Sequence, residues 1–416
     1  VASQIVLVGL ALALQPFESA GDVVSARDLG TLSAQQVSQK AREAFRGIRP
    51  LPQINRGVRL LSVIYRTTQT DGTLGIASGL VAIPTGESIG TVLYCHGTTA
   101  ERSNVPSNAR IGSKSSVETQ MAVLAFSGGG YLTVANDYLG LGVNKGVHPY
   151  CQSINADSGR DLIIASREIE RRLNRKTGLY LHVTGYSEGG LIAAWTARKL
   201  WQGNDTSLYP SSAAPLSGPY DLSRTMAKLV GQSKVPFGEL AARFFFLSYF
   251  FYGLEQNGNQ VDLENVFVPS FASYIPTAFG RGGSDGQLAL RMANKAVQLG
   301  AVGSMKRVFQ PKAYQALTTT DRTAPIIQRM SKHDCIYWSP YNPVYLVALK
   351  QDSTVPAKNT EVAKWSMRSS GVGPVRLRSY IANRPGSDHV KFNNEAIILA
   401  RRFFEGGFSA VPVDRN

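Results

Sequence analysis

Short apolar runs alternating with longer amphipathic stretches are the main pattern along this chain. Residues 58–65 and 75–83, the second run ended by Pro84, predict two strands of an opening antiparallel hairpin. Beyond them the apolar runs at 91–95, 131–135 and 179–184 are separated by helical patterns, which predicts a parallel sheet covered by helices on both faces. The helix before the last of these runs carries Leu162, Ile169 and Leu173 on one side and Arg167, Arg171 and Arg172 away from it, close to a 3.6-residue period. A further strand is expected at 212–216. The pattern then breaks for more than a hundred residues and resumes with strands at 343–349 and 375–381 and a final helix over 394–404. The Ser- and Gln-rich lead-in before residue 58 predicts no element.

The interruption has its own character. Residues 244–252 form the most aromatic run of the chain and read as a helix that is apolar nearly all round. Such a helix is expected to be buried in a small core of the insertion itself, with part of it able to line an apolar substrate pocket. A Gly-rich stretch at 280–284 reads as a loop within the insertion. The expected organisation is a leader over 1–20, a first core segment over 21–220, a cap or lid insertion over 221–335 and a second core segment over 336–416.

The apolar run at 5–14 is about ten residues, against the roughly 20 needed to span a bilayer. It has the size of a signal-peptide core followed by small residues, so the expectation is the remnant of an export signal and a secreted or periplasmic protein. The plainer alternative is an N-terminal arm packed on the fold.

Composition narrows the classes further. A chain of 416 residues with 43% hydrophobic and 18% charged residues excludes collagen, coiled coil and wholesale disorder, and is long enough for a sizeable core. Lys and Arg number 44 against 29 Asp and Glu, a net charge of +15 that suits association with anionic surfaces. Nucleic acid is not expected as a partner, because no dense basic block with interleaved aromatics exists. The clusters Arg171-Arg172 with Arg175-Lys176, and Arg401-Arg402, read as solvated helix faces. Three cysteines without C-x-x-C spacing argue against a disulfide scaffold or a metal site. Cys95 lies in a strand pattern and is expected as a buried thiol, leaving Cys151 and Cys335 as the candidate pair. No metal and no cofactor are expected.

The candidate chemistry centres on Gly185-Tyr186-Ser187-Glu188-Gly189-Gly190, which fits G-x-S-x-G. The bare pattern is weak, but here it follows a strand and opens a helix, the strand–turn–helix setting of a nucleophile elbow. Such a turn exposes the Ser187 hydroxyl at a helix N-terminus and aims the Glu188 N–H where an oxyanion forms, with the Glu188 carboxylate in the first helical turn. The second donor is expected from His96-Gly97-Thr98-Thr99, directly after the 91–95 strand, with the Thr98 N–H as the donor and Gly97 allowing close approach.

A serine needs a base, and five histidines are available: His96, His148, His182, His333 and His389. His182 alternates within a strand, His96 belongs to the oxyanion loop, His148 sits in a loop and His333 ends the insertion. His389 lies between the last strand and the last helix, where the chain order Ser, acid, His wants the base. Asp352, just past the end of the 343–349 strand, is the expected orienting acid, and Asp388 is the alternative.

At these residues the chain resembles the α/β-hydrolases, and within them the secreted lipase and esterase group typified by yeast lipase A. The resemblance covers residue 58 to the C-terminus. It rests on the 185–190 elbow, His96-Gly97, Asp352 with Val355-Pro356, His389, and residues 136–142 followed by His148-Pro149-Tyr150. It implies an α/β-hydrolase fold with a mostly parallel central sheet and a helical cap acting as a lid over an acyl pocket. It also gives Asp137 a structural role in bracing loops under the site. The HGGG form of the oxyanion loop is absent, so the likeness to hormone-sensitive-type esterases is weaker. The expected function is a serine hydrolase acting on small-molecule or lipid carboxylic esters through Ser187, His389 and Asp352. A serine peptidase or aminopeptidase of the same fold, and a catalytically idle envelope-binding relative, are the alternatives.

Overall fold

The computed structural model describes residues 18–258 and 261–415. The apolar run at 5–14 lies outside the described residues. One nine-stranded sheet runs through the molecule, made of β1 (Val23–Leu32), β2 (Val58–Thr68), β3 (Leu74–Pro84), β4 (Gly90–Cys95), β5 (Leu132–Asn136), β6 (Tyr180–Tyr186), β7 (Ser212–Leu216), β8 (Val344–Leu349) and β9 (Leu377–Ala382). Their order is β1-β2-β3-β5-β4-β6-β7-β8-β9. The opening hairpin is antiparallel, with Val58 opposite Pro84 and Thr68 opposite Leu74, and every pair from β5 to β9 is parallel. The fully buried six residues of β4 and of β8 explain their unbroken apolar runs, since helices cover both faces.

Successive residues of β4 point into two different cores. Leu93 and Cys95 join a cluster packed by α3 (Asn155–Arg172) and α4 (Glu188–Gln202), through Leu162, Ile163, Leu191 and Ile192. Val92 and Tyr94 join the other, packed by α1 (Ala34–Ala44), α2 (Val117–Phe126) and the final helix His389–Gly406, through Val37, Phe126, Phe392 and Ala396. The final helix starts five residues earlier than its periodicity predicts, because Asp388 caps it by accepting the Lys391 N–H at 2.9 Å.

Several expectations are corrected. The polar lead-in carries a strand and a helix. β1 is an edge strand with two register irregularities and mostly exposed or half-buried residues, so it shows no hydrophobic alternation. α1 has a full capping box between Ser33 and Gln36, a signal that was present in the sequence. The insertion therefore falls between the seventh and eighth strands.

Its aromatic run lies in α5 (Phe237–Gln256), but Phe244, Phe251, Phe267 and Phe271 belong to the same cluster as β4 and α4 rather than to a separate core. Arg401 is not solvated: it is 1% exposed, with its guanidinium on the Ala125 carbonyl and Glu405 and 5.3 Å over the Tyr131 ring. Arg175, too, turns inward and donates to the Gly86 carbonyl at 2.6 Å.

Cys151 and Cys335 are unbridged, and Cys95 is free as well; all three are buried. The two backbones are held by different partners, the Cys151 N–H by the Glu188 carboxylate and the Cys335 N–H by the Tyr220 carbonyl at 2.9 Å.

Candidate active site

Ser187, Asp352 and His389 all lie just past the C-terminal ends of parallel strands, where ligand sites of such sheets form. Ser187 links β6 to α4 at φ 58° and ψ −123°, a conformation costly for a residue with a Cβ. The turn is held because its glycines let neighbouring backbone close in. A Cβ on Gly189 would stand 1.9 Å from the Cys95 carbonyl oxygen, and one on Gly185 would stand 2.3 Å from the same atom.

His389 Nε2 lies 2.8 Å from Ser187 Oγ, and His389 Nδ1 lies 2.5 Å from Asp352 Oδ2. The other Asp352 oxygen accepts the Thr354 and Val355 N–H groups at 2.9 and 2.8 Å, fixing the carboxylate in a buried turn. Tyr186 locks the histidine backbone by donating its hydroxyl to the His389 carbonyl at 2.5 Å. Asp388 caps the final helix from an exposed position, and the imidazole is held by Asp352 instead.

Glu188 is the first residue of α4, so its N–H has no acceptor within the helix. Thr98 lines a cavity with Ser187 and His389, and its hydroxyl meets Tyr150 Oη at 3.2 Å. The loop that carries Thr98 is tethered on every side. Gly97 N–H goes to Glu118 Oε1 at 2.8 Å, Ala100 N–H to Asp285 Oδ1 at 2.7 Å, and the Thr99 carbonyl accepts from Tyr249 Oη at 3.1 Å.

Sequence reasoning missed Glu118, an acid on the first turn of α2 whose role only the fold reveals. It also takes the Tyr94 hydroxyl at 2.7 Å. Burial pushes its carboxyl up to about 7, against the opposing pull of the Tyr94 and Gly97 hydrogen bonds. Burial likewise raises Asp285 to about 6.

His148, set aside in the sequence as a loop histidine, is buried beneath the elbow. Its Nδ1 is 2.8 Å from the Leu139 carbonyl and its Nε2 is 2.8 Å from Glu188 Oε1, which also accepts the Cys151 N–H at 3.0 Å. A carbonyl oxygen only accepts, so Nδ1 carries a proton; a second proton must then lie between Nε2 and the carboxylate. The Glu188 side chain thus ties the start of α4 to the 139–151 segment instead of reaching solvent. Its other oxygen has no partner.

The remaining histidines serve packing. His96 stacks on Tyr138 at 4.2 Å with its Nδ1 on the Gly97 carbonyl, and His182 stacks on Phe404 at 4.4 Å. Burial lowers His182 and His333 to about 4. Asp137 sits under the loops, taking both Ser78 and Ser107 hydroxyls at 2.5 Å and the Ser107 N–H at 2.8 Å. No group of three or more His, Cys, Asp or Glu side chains is arranged to hold a metal ion among the described residues. No helix among them is long and apolar enough to cross a membrane.

Two cavities meet at Ser187. One is apolar and is walled by Leu222, Met226, Leu247, Phe250 and Val355; the other holds His389, Thr98 and Glu118.

No family model and no curated protein matches the chain. Solved structures do. A Legionella pneumophila protein provisionally assigned as a hydrolase is 28% identical with a TM-score of 0.74, covering 92% of this chain and 97% of its own. The rice cell wall degrading esterase LipA from Xanthomonas oryzae superposes with a TM-score of 0.78 at 23% identity, covering 92% of this chain and 98% of its own. Candida antarctica lipase A gives 0.63 at 15% identity, covering 95% of this chain and 83% of its own. With its sheet order, its elbow and these likenesses, the chain is an α/β-hydrolase by fold, structurally akin to esterases and lipases.

Proposed function

We propose that this protein hydrolyses carboxylic esters, with Ser187 as nucleophile, His389 as general base and acid, and Asp352 as the orienting carboxylate. The observation that carries the reading is the continuous chain from Ser187 Oγ through His389 to Asp352, at 2.8 and 2.5 Å, opening onto an apolar cavity. In this reading His389 Nε2 takes the Ser187 proton as Oγ attacks the ester carbonyl, and Asp352 steadies the imidazolium. The Glu188 and Thr98 N–H groups hold the tetrahedral oxyanion. His389 then protonates the leaving alkoxide, and the same base activates water to release the acid from the acyl-serine.

The helical segment over 221–335 acts as the cap: α5 supplies Phe246, Leu247 and Phe250 to the cavity wall, so the cap governs which esters enter. The reading calls on no metal or cofactor.

The test is turnover of 4-nitrophenyl butyrate by wild type and Ser187→Ala. A loss of about a thousandfold or more supports the reading; an unchanged rate refutes it.

A further inference from the structure

The two cavities that meet at Ser187 differ in size and in what they contain. The first has a volume of about 70 Å³, and Leu, Met, Phe and Val supply most of its wall, with Tyr150, Arg243 and Thr354 as its larger polar members. At about 10–15 Å³ of cavity space for each water-sized group, that is room for about five to seven heavy atoms. The second encloses about 560 Å³ and includes His389, the oxyanion loop at Gly97 and Thr98, and Met121, Phe245 and Lys391. Apart from Ser187, one residue lines both: Phe246 of α5, whose half-buried ring divides them.

The position of His389 decides which cavity takes which half of an ester. The leaving oxygen must receive its proton from His389 Nε2, so the alcohol extends into the cavity that contains the imidazole. The acyl group, attached to the carbonyl carbon on the other side, is left with the small one. Building on the ester-hydrolase reading, we infer that the protein is specific for esters of short acids, of up to about six carbons, with bulky alcohols, and that Phe246, Leu247 and Met226 set the acyl limit. Ester and water give a short carboxylic acid and a large alcohol. The acid is made in the small cavity after the alcohol has left through the large one.

Longer acyl chains meet Leu222, Phe250 and Arg243 of the small cavity's wall. Arg243 does not yield readily, since it is 8% exposed and bonded to the Leu229 carbonyl at 3.0 Å and to Gln232 at 2.6 Å. A methylene without room in such a pocket lowers kcat/KM by about tenfold or more.

The test uses an isomeric pair with similar leaving groups, benzyl acetate and methyl phenylacetate, on the full chain. The inference expects benzyl acetate to be favoured by about tenfold or more in kcat/KM. It also expects 4-nitrophenyl esters to peak between acetate and hexanoate. In Leu247→Ala and Met226→Ala, both half-buried positions, the octanoate-to-acetate ratio of kcat/KM should rise about tenfold. Should either variant fail to fold, the isomeric pair on wild type decides alone. Ser187-dependent turnover that favours methyl phenylacetate, or that peaks at octanoate or beyond, overturns the acyl assignment and leaves the ester reading standing. Absence of Ser187-dependent turnover of every ester overturns both.

Discussion

Asp352→Asn tests the proposed proton path by geometry. In the native turn Asp352 Oδ1 accepts two N–H groups, from Thr354 and Val355, while Oδ2 faces His389 Nδ1 at 2.5 Å. An asparagine must keep its carbonyl oxygen at the first position, since an amide NH₂ there would face two donors. Its NH₂ then points at His389 Nδ1. That forces the imidazole into the tautomer with its lone pair on Nδ1 and its proton on Nε2, aimed at Ser187 Oγ. The base can no longer take the serine proton, although every heavy atom stays in place. The expected loss in kcat is about ten-thousandfold, equivalent to about 5 kcal/mol at the transition state. The assay is steady-state hydrolysis of 4-nitrophenyl butyrate near neutral pH, beside a thermal melt to show that the variant folds. A folded variant with less than a tenfold loss would refute the assignment of Asp352.

Three further outcomes follow from other parts of the molecule. Burial raises Asp137 from an ordinary 3.8 to about 6, so the folded state holds a proton that the unfolded chain has lost; its stabilising effect is complete below pH 4 and is lost as pH rises through 6, up to about 3 kcal/mol. Asp334 and Glu118, pushed up to about 7, add in the same direction, while His182 and His333, lowered to about 4, oppose it mainly below pH 6.5; melting temperature should therefore fall between pH 6.5 and pH 8, and a rise over that range would contradict the assignment. Gly189→Ala should lose soluble expression or melt much lower, by about 3 kcal/mol or more, because its Cβ meets the Cys95 carbonyl at 1.9 Å; intrinsic helix propensity alone would favour alanine there. Thiol titration without reductant should find three reactive cysteines in the unfolded chain and none in the folded one, whereas a count of one after unfolding would mean a Cys151–Cys335 bridge.

Much of this architecture was legible in the sequence wherever the environment is uniform. β4 and β8 are buried on both faces and read as unbroken apolar runs; β6 followed by a Gly-rich turn and α4 reads as an elbow. β1 was not legible, because an edge strand exposes most of its residues and its register breaks twice.

The residues proposed for the proton path stand out by chain order, each following a strand, and the structure brings those three within hydrogen-bonding distance. The tethers around them carry no such signal. Glu118 reaches Gly97 across 21 residues and His148 reaches Glu188 across 40, and nothing in local patterning says that these acids turn inward. Arg401 misled for the same reason: its helix period is correct, but the Ala125 carbonyl that receives it comes from another element.

The most direct test of the central claim is covalent trapping of the nucleophile with a small alkyl fluorophosphonate, read by intact mass and peptide mapping. The proposal requires one adduct per chain, on Ser187, absent in Ser187→Ala and formed about a hundredfold more slowly or worse in His389→Ala. An adduct on another residue, or equal labelling rates in wild type and His389→Ala, would contradict it.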